Sequence, residues 1–171
     1  MERFSIIRGD ITTQAVDAIV NAKKIYILGT RSSGSLAGFM SFYFGLMFDN
    51  VVHVGESANQ EIFDQIVQVG HGDVTIGLSF PRYSRRTVRA INFAHERGSK
   101  VIAITDSASN SMAKAADYVL LMTYEWGYTY GPPMAVAPLR NVRQVLDYAV
   151  TEMPPEKIFL GIPNYGYDWA L

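Results

Sequence analysis

Short runs of Val, Ile and Leu alternate along the chain with longer stretches whose apolar positions recur at the helical period. This is the pattern of βαβ units feeding a parallel sheet buried on both faces. The runs predict strands at Phe4–Arg8, Lys24–Leu28, Val51–Val54, Asp73–Ser79, Lys100–Thr105, Tyr118–Met122 and Lys157–Gly161. Helices are expected between them at Ser33–Met47, Asn59–Val69, Ser84–Arg97, Ser107–Ala116 and Pro138–Val150. Gly98 stands where a helix C-cap belongs and is followed by the run VIAIT, a stop signal and then a strand start. Between Tyr124 and Pro138 a stretch rich in Gly, Tyr and Pro breaks the rhythm and reads as a surface loop. Pro154 and Pro155 predict a stiff connection into the last strand. The expected fold is α/β: a three-layer, mostly parallel, doubly wound sheet in a single domain.

Composition narrows the function more than it changes the fold. The 171 residues are 49% hydrophobic, enough for one continuous core. Net charge is -1 with no long basic run, which argues against a nucleic-acid partner. Cysteine is absent, so disulfides and thiolate metal sites are excluded. Three histidines, at 53, 71 and 95, lack metal-ligand spacing, and neither metal nor cofactor is expected. The opening MERFSIIRGD carries charges and no long apolar run. It predicts neither a leader nor a membrane anchor, and the protein is expected to be soluble and cytoplasmic, or made recombinantly.

Three resemblances follow one another along the chain. Residues 1–22, with GDIT and IVNA, resemble the start of a macro domain, the family that binds or hydrolyses ADP-ribose derivatives. The resemblance implies vestigial adenine-binding roles for Asp10 and Ile11. Residues 23–121 resemble a sugar isomerase (SIS) domain of bacterial transcriptional regulators, on IYILGTRSSGSLA, DVTIGLSFPRYSRRTV and KVIAITDSASNSMAKAADYVL. That resemblance implies a phosphosugar ligand and a flavodoxin-like order of strands.

The residues supply a physical reason for such a ligand. Hydroxyls and free backbone amides at helix N-termini suit an anion, because the N–H groups and the helix dipole both point at it. Thr30, Ser32, Ser33 and Ser35 form one such loop after the second predicted strand. Ser79, Ser84 and Thr87 form another after the fourth, with Arg82, Arg85 and Arg86 close by. Both belong at the carboxyl edge of the sheet, where crossovers diverge and ligands bind in open α/β folds. Arg31 stands where many relatives have a small glycine, and Pro81–Arg82 stands where a Ser-Gly turn is usual.

Residues 122–171, with MTYEWG and GIPNYGYDW, resemble the later strands of a chitinase-like glycoside hydrolase barrel of family 18 type. The resemblance implies sugar-stacking roles for Tyr124, Trp126, Tyr165, Tyr167 and Trp169. The strand motif DxxDxDxE that supplies that family's acid is absent, leaving Glu125 and Asp168 as the local carboxylates. Candidate bases for isomerase chemistry, Glu56, His53 and His71, have no partner recognisable in sequence. No residue is assigned a catalytic role.

Together these likenesses predict one composite domain engineered by recombining fragments, with no dedicated biochemical activity and no enzyme function. The alternatives are a phosphosugar-binding module that keeps the SIS-type site, or residual carbohydrate or ADP-ribose binding. Expected partners are a sugar phosphate or other anion and a second copy in a homodimer, with no nucleic acid and no membrane.

Overall fold

A computed structural model describes residues 11–56, 61–127, 131–166 and 168. Six parallel strands form one sheet: β1 (Ile25–Gly29), β2 (Val51–Val54), β3 (Val74–Leu78), β4 (Lys100–Thr105), β5 (Tyr118–Leu121) and β6 (Ile158–Leu160). Their order is β2-β1-β3-β4-β5-β6. The helices are α1 (Ile11–Val20), α2 (Ser32–Gly45), α3 (Ile62–Ile66), α4 (Arg85–Glu96), α5 (Ser111–Ala115) and α6 (Leu139–Glu152). One 3-10 turn, Pro155–Lys157, leads into β6. The doubly wound fold expected from the alternation is present.

Every residue of β1 and β3 is buried, as their unbroken apolar runs require. Burying each Ile or Leu in these strands contributes about 1.5–3 kcal/mol. Side chains alternate between two cores. Tyr26, Leu28, Val101, Ala103 and Val119 face one side, packed with residues of α3, α4, α5 and α6. Ile25, Ile27, Val74, Ile76 and Leu78 face the other, with Ala37 of α2 and partly buried Ala18 and Ile19 of α1.

Helix α2 is apolar on nearly every side, and only Ser33 and Ala37 are buried. Phe39 and Phe42 are 65% and 64% exposed, beside exposed Leu36, Tyr43, Leu46 and Met47.

Two expected elements differ from what is observed, and one lies outside the described residues. The predicted strand Phe4–Arg8 lies outside the described residues, and the first described element is a helix, α1, which sequence reading left unassigned. α5 begins at Ser111 instead of Ser107, because Asn110 caps it by accepting from the Ala113 amide at 2.8 Å. Asn110 also donates to Ser107 O at 2.7 Å, so side-chain bonds to the backbone displace a further helical turn. α3 is shorter than predicted, Ile62–Ile66, with residues 57–60 outside the described set. The final strand joins the sheet edge beside β5, pairing Val119 with Ile158 and Leu121 with Leu160. Among the described residues no helix is long and apolar enough to cross a membrane.

Candidate functional site at the β1/β3 carboxyl edge

Strands β1 and β3 are neighbours, but their following helices leave to opposite faces: α2 packs on the Ile27 side and α4 on the Leu28 side. This divergence opens a crevice at the carboxyl ends of the two strands. A cavity of about 250 Å³ lies there, lined by Thr30, Arg31, Ser32, Ser33, Ser79, Phe80, Pro81, Arg82 and Ser84. Both helices begin at it, α2 after Arg31 and α4 after Ser84.

Close approach of α2 to β1 depends on Gly29. A Cβ at that position would sit 2.4 Å from Ser33 O and 2.9 Å from Ala37 Cβ. On the other side, α4 packs so tightly over β3 that a Cβ on Gly77 would lie 2.5 Å from Ile91 Cδ1. Underneath, the hydroxyls of Thr30 and Thr87 share a buried hydrogen bond of 2.9 Å, which ties the first loop to the first turn of α4.

Ser33 and Ser79 are only 5% and 3% exposed, yet both line the cavity. Neither side-chain hydroxyl has a hydrogen-bond partner among the described residues, and no buried side-chain oxygen is sealed off without one. Their oxygens therefore open into the cavity. Ser84 accepts from the Thr87 amide at 3.5 Å, a long cap that leaves its hydroxyl free to bond elsewhere.

Two loop residues hold left-handed backbone: Arg31 at φ 53° and Arg82 at φ 71°. Such conformations are costly for residues with a Cβ and gather at functional sites. A second cavity of about 480 Å³ adjoins the first, sharing Arg31 and Ser84 and adding Glu56, Tyr83, Arg85 and Arg86. Arg86 Nη1 lies 3.7 Å from Glu56 Oε1. The Tyr83 hydroxyl donates to Asp106 Oδ1 at 2.7 Å, and burial followed by this carboxylate pushes its pKa above the ordinary tyrosine value.

Of the hydroxyls singled out from sequence, Thr30, Ser32, Ser33, Ser79 and Ser84 surround one cavity. Ser35 lies outside it on the exposed side of α2, and Thr87 lies beneath it, fully buried against Thr30. Tyr83 and Asp106 were not singled out. The signal for Asp106 was its place directly after the run VIAIT, at the end of the strand next to β3. Asp10 lies outside the described residues, and Ile11 opens α1.

Among candidate bases, Glu56 reaches the second cavity, but the two histidines do not join it. His53 lines a separate cavity of about 310 Å³ with Lys24 and Asp64. His71 lies in the turn before β3, so close to Gly98 that a Cβ there would meet its ring at 2.6 Å. Among the described residues no group of three His, Asp or Glu is placed to hold a metal ion.

The C-terminal segment builds a different surface. Tyr165 donates to Glu125 Oε1 at 2.5 Å, and Glu125 has φ 67°. Burial, then the Glu125 charge, raises the pKa of Tyr124. Trp126 lines a cavity of about 330 Å³ with Asp106, Asn141, Gln144 and Tyr148. Tyr167 and Trp169 lie outside the described residues.

Comparison with known proteins gives these surfaces a context. Residues 18–139 match the family model of the SIS domain. The chain is 62% identical over 55 residues, 32% of its length, to the "Cortical fragment-lytic enzyme" of Bacillus subtilis, and covers 13% of that enzyme. It is 24% identical over 185 aligned positions to the "Putative sporulation-specific glycosylase YdhD" of the same organism, covering 95% of this chain and 44% of that one. The chain thus spans less than half the length of these curated relatives. Among solved structures, the sugar isomerase domain of the RpiR transcription factor from Sphaerobacter thermophilus superposes with TM-score 0.59 at 24% identity, covering 88% of this chain and 82% of that one. The Vibrio vulnificus NanR protein complexed with ManNAc-6P gives TM-score 0.56 at 13% identity, covering 86% and 56%.

These findings overturn two expectations from sequence. The engineered assembly without dedicated activity fails, because a natural glycosylase relative aligns along 95% of the chain, across all three stretches that had been read as separate pieces. The expectation that the chain is no enzyme fails with it, since a run of 55 residues is 62% identical to a lytic enzyme. The change of likeness along the sequence was read as a set of joins, whereas strands from the second and third stretches lie in one sheet and α1 from the first packs against it.

Proposed function

The chain belongs to the SIS domain family, and on that footing we propose that it binds a sugar phosphate, with the phosphate in the cavity between β1 and β3. The observation that carries this reading is the pair of buried hydroxyls, Ser33 and Ser79, open to a cavity at which two helices begin. A phosphate there would accept from these hydroxyls, from Ser84 and from free amides of the first helical turns, with the helix dipoles favouring its charge. A structural neighbour holds ManNAc-6P, which supports this ligand class. The test is the melting temperature with and without millimolar hexose and amino-sugar phosphates, since a ligand that binds only the folded state raises it. A rise for the parent protein, lost in Ser33→Ala and Ser79→Ala, is expected. A cooperative melt with no shift across the panel would overturn the proposal.

The homodimer expected from sequence is kept within this proposal. It is supported by the outer side of α2, where Leu36, Phe39, Phe42, Tyr43, Leu46 and Met47 leave an apolar surface in water. Light scattering that returns the monomer mass would remove it.

A second reading is favoured by the high identity to a lytic enzyme: the part of the chain from β5 onward serves glycoside chemistry. Trp126 offers a stacking face, and Glu125, held by Tyr165, offers a carboxylate. Release of reducing ends from spore-cortex fragments tests it, and silence would remove it.

A further inference from the structure

We propose that the ligand of this site is a sugar phosphate that carries a second acidic group, whose charge is received by Arg85 and Arg86 in the adjoining cavity. This rests on the phosphate-binding reading above and goes further by fixing the class of sugar.

The first argument is one of charge. Among the described residues the two adjoining cavities are lined by four arginines, 31, 82, 85 and 86, against one carboxylate, Glu56. Their formal balance is three positive charges, before the positive ends of α2 and α4 are added. A phosphate monoester carries roughly 1.5 to 2 negative charges at neutral pH. One phosphate therefore leaves about one cation unmatched, and a second acid removes it.

The second argument is position. Arg85 and Arg86 open α4, where the helix dipole disfavours cations, and the first turn has no acidic residue to offset them. Arg86 meets Glu56 only at 3.7 Å, with the two side chains 64% and 46% exposed. The dipole disfavours two successive cations at this helix start, and an anion received by them offsets that.

The third argument is connection. Arg31 and Ser84 line both cavities, so a molecule seated at Ser33 and Ser79 continues into the second without leaving the protein surface. Arg31 holds a left-handed backbone, φ 53°, at this shared wall, a conformation the fold maintains at a cost. Forked guanidinium groups bind a carboxylate through two parallel hydrogen bonds, which suits a sugar acid better than a further hydroxyl.

The experiment compares glucitol 6-phosphate with gluconate 6-phosphate by calorimetric titration. The two differ in one end group, CH₂OH against carboxylate. Gluconate 6-phosphate should bind about tenfold more tightly, the effect of one charge-assisted contact. In Arg85→Ala and Arg86→Ala the ratio of the two affinities should fall towards one, whatever happens to either affinity alone. Equal binding of the two ligands to the parent protein would overturn the second acidic group while leaving the phosphate site in place. Binding of neither would overturn both. A tenfold preference that persists unchanged in both arginine variants would also overturn the assignment, because the carboxylate would then be received elsewhere.

Discussion

The two ends of the same strands treat polar groups in opposite ways. At the amino edge the buried Thr75, Ser99 and Asp73 and the partly buried Asp117 are each closed onto a neighbour. Thr75 bonds Ser99 at 2.9 Å, Ser99 donates to Asp73 O at 3.1 Å, and Asp73 Oδ2 accepts from the Gly70 amide at 2.9 Å. Asp117 accepts from the Val101 amide and from Lys100 Nζ, each at 2.9 Å. At the carboxyl edge Ser33 and Ser79 are as deeply placed but have no partner among the described residues, and Arg31 and Arg82 hold left-handed backbone. Satisfied bonds stabilise a fold, whereas open ones keep capacity for a ligand. The amino edge closes its buried polar groups on one another, and the open hydroxyls of the carboxyl edge are what the proposed anion binding draws on.

The sharpest way to break this contrast is Gly29→Ala. The new methyl would meet the Ser33 carbonyl at 2.4 Å, which is backbone and cannot swing aside. Overpacking of this kind costs about 1–3 kcal/mol. Chemical denaturation should show that loss, together with loss of any anion response, because α2 would be pushed off the site.

Asp117→Asn should act on the amino edge alone. Burial opposes the charged form of Asp117, but the Val101 amide, Lys100 and His95 outweigh it and hold the pKa below its ordinary value of 3.8. A carboxyl lowered in the folded state contributes stability above its unfolded pKa and loses it as pH falls through the folded one. The substitution should therefore cost about 1–3 kcal/mol at neutral pH. The difference from the parent should shrink in acid, and the melting shift with sugar phosphate should be kept. If that shift disappears, the two edges are not independent.

Arg82→Gly is the mildest of the three and has the opposite sign. Removing the Cβ from a residue at φ 71° should stabilise the fold by about 0.5–1 kcal/mol, as a gain in melting temperature, while weakening anion binding. An unchanged affinity would take Arg82 out of the site.

Much of the sheet could be read in advance because its signals are local. Lys100–Thr105 and Val51–Val54 stand at their predicted bounds, and Gly98 has the positive φ, 84°, that a helix-ending glycine takes. The same locality explains what was missed. Helix α1 has ten residues, too few to be stable alone, and its place comes from Ala18 and Ile19 against the sheet. At the site, residue types were legible but directions were not. Ser33 and Ser35 are two apart on a helix, so one faces the cavity and the other water. Thr87 was read as a ligand residue on its hydroxyl, but that hydroxyl is bonded to Thr30, 57 positions earlier. The left-handed backbone at Arg31 and Arg82 is imposed by the loops around them, and nothing in an arginine announces it.

Strand β6 pairs with the sheet through β5, three positions from β3 and four from β1. An open parallel sheet can thus lengthen at its rim while the strands at its centre keep their register. For inheritance this separates two kinds of change: a lineage can alter the outermost strand and its aromatic loops without rewriting the crevice, and can retune the crevice without rebuilding the rim. Descendants of one such chain can diverge at the rim and still keep the same central crevice.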